Sequence, residues 1–169
     1  MAYVPQDDFL FSTPVSSNIA FGDPTASSED VVAAAFRAGL DPKTSGLSQG
    51  LETEVGERGL NLSGGQRQRV ALARAMVTDA AVLVLDIALS NVDTETERLI
   101  LAGLTQEQQR RSVIVASNRI TAVQDADRIY VMDAGRVIDA GCHDELIARP
   151  GLYAAMHEQQ QISARLERY

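Results

Sequence analysis

The chain predicts an α/β fold with a mostly parallel sheet, and three observations carry that reading. Two short apolar runs rich in branched side chains, Ala81-Val82-Leu83-Val84-Leu85 and Ser112-Val113-Ile114-Val115-Ala116, read as buried strands. A helix-length segment, 93–109, separates them, as in a strand–helix–strand crossover. Two helical patterns precede the first run and a strand pair follows the second, so strands and helices alternate.

In chain order, Ser27 or Ser28 followed by Glu29 and Asp30 marks a helix start, and Val31, Val32, Ala35, Phe36 and Leu40 are expected to form its apolar face to about Gly39. From Asp41 to Asn61 the periodicity lapses and Gly46, Gly50, Gly56 and Gly59 gather, predicting loops with a short helix at most. Ser63 opens a second helix, which runs through good helix formers to Met76 with alternating apolar and basic faces. Asp93 is placed to cap the third helix. Segments 127–132 and 136–140 read as strands joined tightly at Asp133-Ala134-Gly135. Pro150, in a first-turn position, opens the last helix. The clusters at 33–35 and 99–104 read as helix core rather than as cofactor contacts.

Composition sets the outer bounds. The 169 residues suit one domain, and 45% hydrophobic with 22% charged residues lies far from the signature of disorder. A formal net charge of -8 disfavours free-standing nucleic-acid binding. Cys142 is the single cysteine, which excludes an internal disulfide and a cysteine-rich zinc site and suits a reducing compartment. The longest apolar stretch, 80–85, is closed by Asp86 and falls well short of the ~20 residues that cross a bilayer. The opening Met1-Ala2-Tyr3-Val4-Pro5-Gln6 lacks the features of a secretory signal.

The chemistry is concentrated in a few short segments. Leu62-Ser63-Gly64-Gly65-Gln66 sets a serine and two glycines at a helix start, where unpaired amides and the helix dipole favour an anion and glycine permits its close approach. Asp86 stands at the carboxyl end of an expected central strand, where ligands of α/β folds collect. Cys142, His143, Asp144 and Glu145 are too close in sequence to converge on one metal ion, and fit a helix N-terminus better. His157 falls on a polar stretch and is expected in solvent.

Taken together, residues 62–75 closely resemble the signature segment of the ATP-binding-cassette (ABC) ATPases. Further segments match that family in the expected order. Tyr3-Val4-Pro5-Gln6 resembles the glutamine loop, Thr53-Glu54-Val55-Gly56-Glu57 the coupling loop of exporters, Val82 to Asp86 the Walker B strand, and Ser90-Asn91-Val92-Asp93 the D-loop. The resemblance implies a P-loop NTPase-like domain with a helical signature subdomain at about 10–78 and an α/β part at about 79–169. The glycine-rich phosphate loop with its lysine, the Walker A segment, belongs upstream of the glutamine loop in that family. No Gly-Lys pair occurs here, and the one lysine, Lys43, lacks the preceding glycines, so the chain reads as the carboxyl-terminal part of a nucleotide-binding domain.

The same resemblance implies the site roles. Gln6 would contact magnesium or its water, and Asp86 would hold Mg²⁺ through water, as suits a hard cation that takes oxygen ligands. Leu62, Ser63, Gly64, Gly65 and Gln66 would cap ATP bound to a second nucleotide-binding domain. Ser90, Asn91, Val92 and Asp93 would communicate between the two sites, and Thr53 to Glu57 would meet the coupling helices of a transmembrane domain.

Two departures from the family pattern matter more than the matches. Ile87 stands where the family has the glutamate that positions or deprotonates the attacking water, and losing a general base costs on the order of 10²–10⁴ in rate. Asn118 stands where the family has the switch histidine that contacts the γ-phosphate, and an amide cannot carry a catalytic proton. The expectation is one half of a heterodimeric exporter at the cytoplasmic face of the membrane, with a degenerate site of its own and an intact signature acting in trans. Alone, these residues are expected to be catalytically silent and, with sheet edge and apolar surface uncovered, poorly soluble. Three other readings stay open: a docking or regulatory fragment, a decayed gene product, and a soluble ABC ATPase of DNA repair or translation.

Overall fold

The computed structural model describes residues 1–6, 9–41, 45–86 and 94–166. Lys43, Ile87, Ser90, Asn91, Val92 and Asp93, and with Asp93 the expected cap of the third helix, lie outside the described residues. The chain divides into two compact units, 1–116 and 117–169.

The first unit is built on a three-stranded parallel sheet in the order β1 (Ala2–Val4), β2 (Val82–Asp86), β3 (Ser112–Ala116). β1 was not legible as a strand; its Ala2, Tyr3 and Val4 pair with Leu83, Val84 and Leu85. β2 takes the centre, and its Leu83 and Leu85 are fully buried. β3 departs from expectation. It pairs with β2 along one edge only among the described strands, and Ile114 on its outer face is 55% exposed rather than buried.

Helices α1 (Val15–Ala20), α2 (Ser28–Arg37), α3 (Gly64–Met76) and α4 (Thr94–Gln108) complete this unit. α1, inside the region expected to be helical, carries no signal of its own in the sequence, because six residues are too few to show a helical period. α2 starts on a reciprocal cap, with the Ser27 hydroxyl accepting from the Asp30 amide and the Asp30 carboxylate accepting from the Ser27 amide. Its buried face is Val31, Ala34 and Ala35, continued by Ala38, while Val32 and Phe36 lie outside. The expected apolar face mixed these two sets; the helical period lets only one face the core. In α4, Ile100 and Leu104 are buried and Leu99 is 39% exposed. The stretch 41–61 holds two short 3₁₀ turns, Gly50–Glu52 and Glu57–Gly59.

A buried charge cluster ties α2, α3 and α4 together. The Glu107 side chain is fully buried and ion-paired to Arg37 at 2.7 Å and to Arg111 at 2.8 Å. Both guanidiniums also donate to the carbonyl of Met76 in the last turn of α3, at 3.1 and 3.5 Å. Beside it, Gly103 permits close helix approach, since a Cβ there would lie 1.8 Å from the Arg37 carbonyl oxygen.

The second unit is a hairpin of β4 (Ile129–Asp133) and β5 (Arg136–Gly141), packed with α5 (His143–Ile147) and α6 (Leu152–Leu166). Asp133 pairs with Arg136, so the loop is only Ala134-Gly135, with φ of 44° and 73°. Two left-handed residues make the tight turn whose twist matches the flanking strands. Its core is Ile120, Ile129, Val131, Leu146 and Tyr153. α6 begins just after Gly151, whose carbonyl accepts from Ala155, which leaves Pro150 ahead of the helix rather than in its first turn. No described helix is long and apolar enough to cross a membrane.

Candidate functional site

The signature segment folds as its composition dictates. Ser63 is the N-cap of α3, its hydroxyl accepting from the Gln66 amide at 3.2 Å, while Gln66 Oε1 accepts from the Ser63 amide at 2.8 Å. Gln66 does more than cap: its Nε2 donates to the Ser45 carbonyl at 2.9 Å, tying the helix start to the preceding loop. Leu62 is buried and Ser63 and Gly64 are exposed, so the start of this 13-residue helix lies open at the surface.

Gly64 is unusual in what does not require it. Its φ is not left-handed, and a Cβ there would meet nothing nearer than an Arg67 nitrogen at 3.9 Å. Gly64 is the first residue of α3, and no described contact calls for the absence of a side chain. The residue suits close approach from outside the chain.

The segment Thr53 to Glu57 is fixed directly beside the signature. Thr53 and Val55 are buried and bond to the backbone of Val15 and Thr13, while Glu54 and Glu57 turn their carboxylates to solvent. Asn61, one residue before Leu62, donates to the Glu54 carbonyl at 2.7 Å and accepts from the Gly56 amide at 2.7 Å. One side chain thus joins the loop to the segment that starts α3.

Asp86 and Gln6 stand at the carboxyl end of the sheet. Val4 pairs with Leu85, so Asp86, the last residue of β2, lies one position beyond that pair, and Gln6 continues exposed from β1. Asp86 is half-buried, and the Tyr3 hydroxyl donates to its Oδ2 at 3.4 Å, leaving carboxylate lone pairs available. An exposed amide oxygen and an open carboxylate are the donor types that a hard divalent cation takes when it arrives with phosphate and water. Asn118 is exposed and lies two residues beyond the end of β3, in the second unit.

Two residues that the sequence reading did not single out organise the stretch after Gln6. Asn18 is fully buried, bonding Phe11 at both its amide and its carbonyl. Arg74 of α3 reaches it at 2.7 Å and donates to the Phe9 carbonyl at 2.8 Å. Its guanidinium also lies 5.6 and 5.9 Å from the ring centres of Phe11 and Phe21. Phe9 and Phe21 are each 62% exposed and, with Tyr3, Pro5 and Ala71, line an open, largely apolar groove. Nothing in residue spacing announces such a groove, since its lining is drawn from positions as distant in the chain as Ala2 and Thr78.

The remaining candidates have local partners. His143 Nδ1 lies 2.8 Å from the Tyr153 hydroxyl, and the His143 and His157 rings meet edge to face at 5.4 Å. His157 is half-buried against this pair, contrary to the solvated position expected from its polar neighbours. Burial raises the Tyr153 phenol above its ordinary value.

Comparison with known proteins decides the family. The ABC transporter family model matches residues 1–90, just over half of the chain. The chain belongs to the ABC transporter family. Its relatives include an ATP-dependent lipid A-core flippase of Methylobacillus flagellatus, 47% identical over 158 residues that make up 93% of this chain and 27% of the flippase. The multidrug resistance-like ATP-binding protein MdlA of Escherichia coli is 44% identical across 99% of this chain and 28% of its own length. Among solved structures, a bacterial Atm1-family ABC exporter with ATP bound superimposes with a TM-score of 0.87 at 43% identity, covering 95% of this chain and 28% of that one. The α/β fold expected from the sequence is therefore that of an ABC exporter's nucleotide-binding region. The chain spans about a quarter of the length of these relatives.

Proposed function

We propose that this chain is part of the ATP-binding component of an ABC exporter, at the cytoplasmic face of the membrane, and that it acts chiefly through its signature segment. In this reading Ser63, Gly64 and Gly65 close on the γ-phosphate of ATP held by a second nucleotide-binding domain, and Gln66 orients them. The observation that carries it is the start of α3: a doubly braced cap, an exposed first turn, and a Gly64 that no contact among the described residues requires. Such an N-terminus supplies fixed dipoles to an anion without reorganisation.

The chain's own site holds MgATP with little turnover. Asp86 and Gln6 supply oxygen ligands to the cation that accompanies the nucleotide, once a phosphate loop is provided. Ile87 offers no group to deprotonate or orient water, and Asn118 can hydrogen-bond a phosphate oxygen but cannot exchange a proton near neutral pH. The D-loop residues Ser90 to Asp93 carry communication between the two sites. The transmembrane partner is met by the loop from Thr53 to Glu57, which Asn61 ties to the signature. The transported substrate is set by the transmembrane part.

The test is Gly64→Val in the full, assembled transporter. A side chain at that position should hold phosphate away from the helix amides and lower ATP turnover on the order of 10²-fold, the scale of losing a preorganised donor, with little change in thermal midpoint because a Cβ there meets no described atom nearer than 3.9 Å. Turnover within twofold of the parent would reject the trans signature.

A further inference from the structure

The loop after β3 is held by a side chain from α6. Gln160 donates from Nε2 to the Asn118 carbonyl at 2.8 Å and accepts at Oε1 from the Ile120 amide at 2.9 Å, across 42 and 40 positions of sequence. The Ser117 hydroxyl accepts from the Arg119 amide at 3.1 Å, and Ile120 is anchored in the core with Ile129, Val131, Leu146 and Tyr153. The backbone from 117 to 120 is thus fixed at several points while the Asn118 side chain remains exposed.

Only a primary amide does this job from that place. It presents a donor and an acceptor in one plane, whereas a carboxylate lacks the donor and an alkyl chain lacks both. The bracket also gives partners to the Asn118 carbonyl and to the amide of Ile120, which opens a short 3₁₀ turn at Ile120–Ala122 and so has no partner within it.

We infer that Gln160 is a positioning residue for position 118: it fixes the loop that presents this side chain to the terminal phosphate of a bound nucleotide. The inference rests on the reading of Asn118 as occupying the switch position. It makes α6 the support of the loop that carries position 118. A displacement of α6 would loosen the loop and weaken discrimination between ATP and ADP, which differ by the phosphate that position 118 faces.

The experiment uses the full-length protein and compares Gln160→Met, Gln160→Glu, Asn118→Ala and the Gln160→Met/Asn118→Ala pair. Methionine keeps the volume and packing of the helix position and removes both hydrogen bonds; glutamate keeps the acceptor for Ile120. Hydrogen exchange at the Ile120 amide should quicken about 3- to 10-fold in Gln160→Met, the worth of one net hydrogen bond, and return close to the parent rate in Gln160→Glu. Preference for ATP over ADP should fall by a similar factor in Gln160→Met and in Asn118→Ala, and the double variant should be no worse than the poorer single one. If Asn118→Ala lowers the preference and Gln160→Met does not, the positioning role is wrong and the reading of position 118 stands. If Asn118→Ala leaves the preference unchanged, that reading fails and this inference fails with it. Unaltered Ile120 exchange in Gln160→Met would overturn the bracket itself.

Discussion

Two glutamines do the same mechanical work in different units of the chain, and only one of them is visible in the sequence. Gln66 ties the Ser63 amide to the Ser45 carbonyl at the start of α3, and Gln160 ties the Ile120 amide to the Asn118 carbonyl after β3. Each side chain gives one donor and one acceptor to main-chain groups that secondary structure leaves unpaired. The loops that they hold differ in chemistry. In the proposed reading the groups that would meet phosphate are all present at the signature, whereas Asn118 would stand in place of the family's histidine and Ile87 in place of its base. On that reading the site would keep its support without its reactive groups, because support lies in backbone hydrogen bonds and reactivity in single side chains.

Restoring those groups is the sharpest way to break the comparison. Ile87→Glu with Asn118→His should raise turnover at this chain's own site by about 10²-fold or more, measured with the partner's hydrolytic site silenced. No gain would mean that the site lacks more than its base and its switch residue.

On the signature side, Glu107→Ala removes the counterion that Arg37 and Arg111 share below the end of α3, and should cost about 3–5 kcal/mol in chemical unfolding. A loss below about 1 kcal/mol, the scale of an exposed pair, would show that the cluster is already hydrated. In the second unit, Ala134 pays for a left-handed φ of 44° in the hairpin turn, and Ala134→Asn should gain about 1 kcal/mol. Thermal melting of the pair of proteins checks it.

The smallest effect is a pH dependence in α2. Hydrogen bonds from the Ser27 hydroxyl and then the Ser27 amide hold the Asp30 carboxyl below its ordinary value of 3.8. The carboxylate therefore contributes its stabilisation in full above pH 3.8 and loses it as pH falls through the depressed value. Asp30→Asn should flatten the acid limb of the melting curve slightly, and an unchanged limb would show that the cap does not outlast the solvent exposure of its members.

Much of this was legible because local pattern and chemistry coincide. The caps at Ser27 and Ser63, the crossover between β2 and β3, and the hairpin ending at Ala134-Gly135 follow from residue types within a few positions of one another. Helix faces were legible only in part: Val32 and Phe36 are as apolar as Val31, and packing decided which set went inside. β1 and α1 were too short to announce themselves. The links that build the site between distant residues were not legible at all. Asn18 to Arg74, Tyr3 to Asp86 and Gln160 to Asn118 each join polar residues of ordinary appearance, and only the folded chain shows that they meet.

The central claim is a chain that holds ATP at its own site without hydrolysing it while its signature serves another. It is tested most directly by incubating the assembled transporter with MgATP, removing free nucleotide rapidly, and identifying what remains bound at this chain. The account predicts intact ATP, retained in an amount equal to this chain and exchanging slowly. Recovery of ADP with released phosphate from that site, at a rate matching the overall turnover, would contradict it.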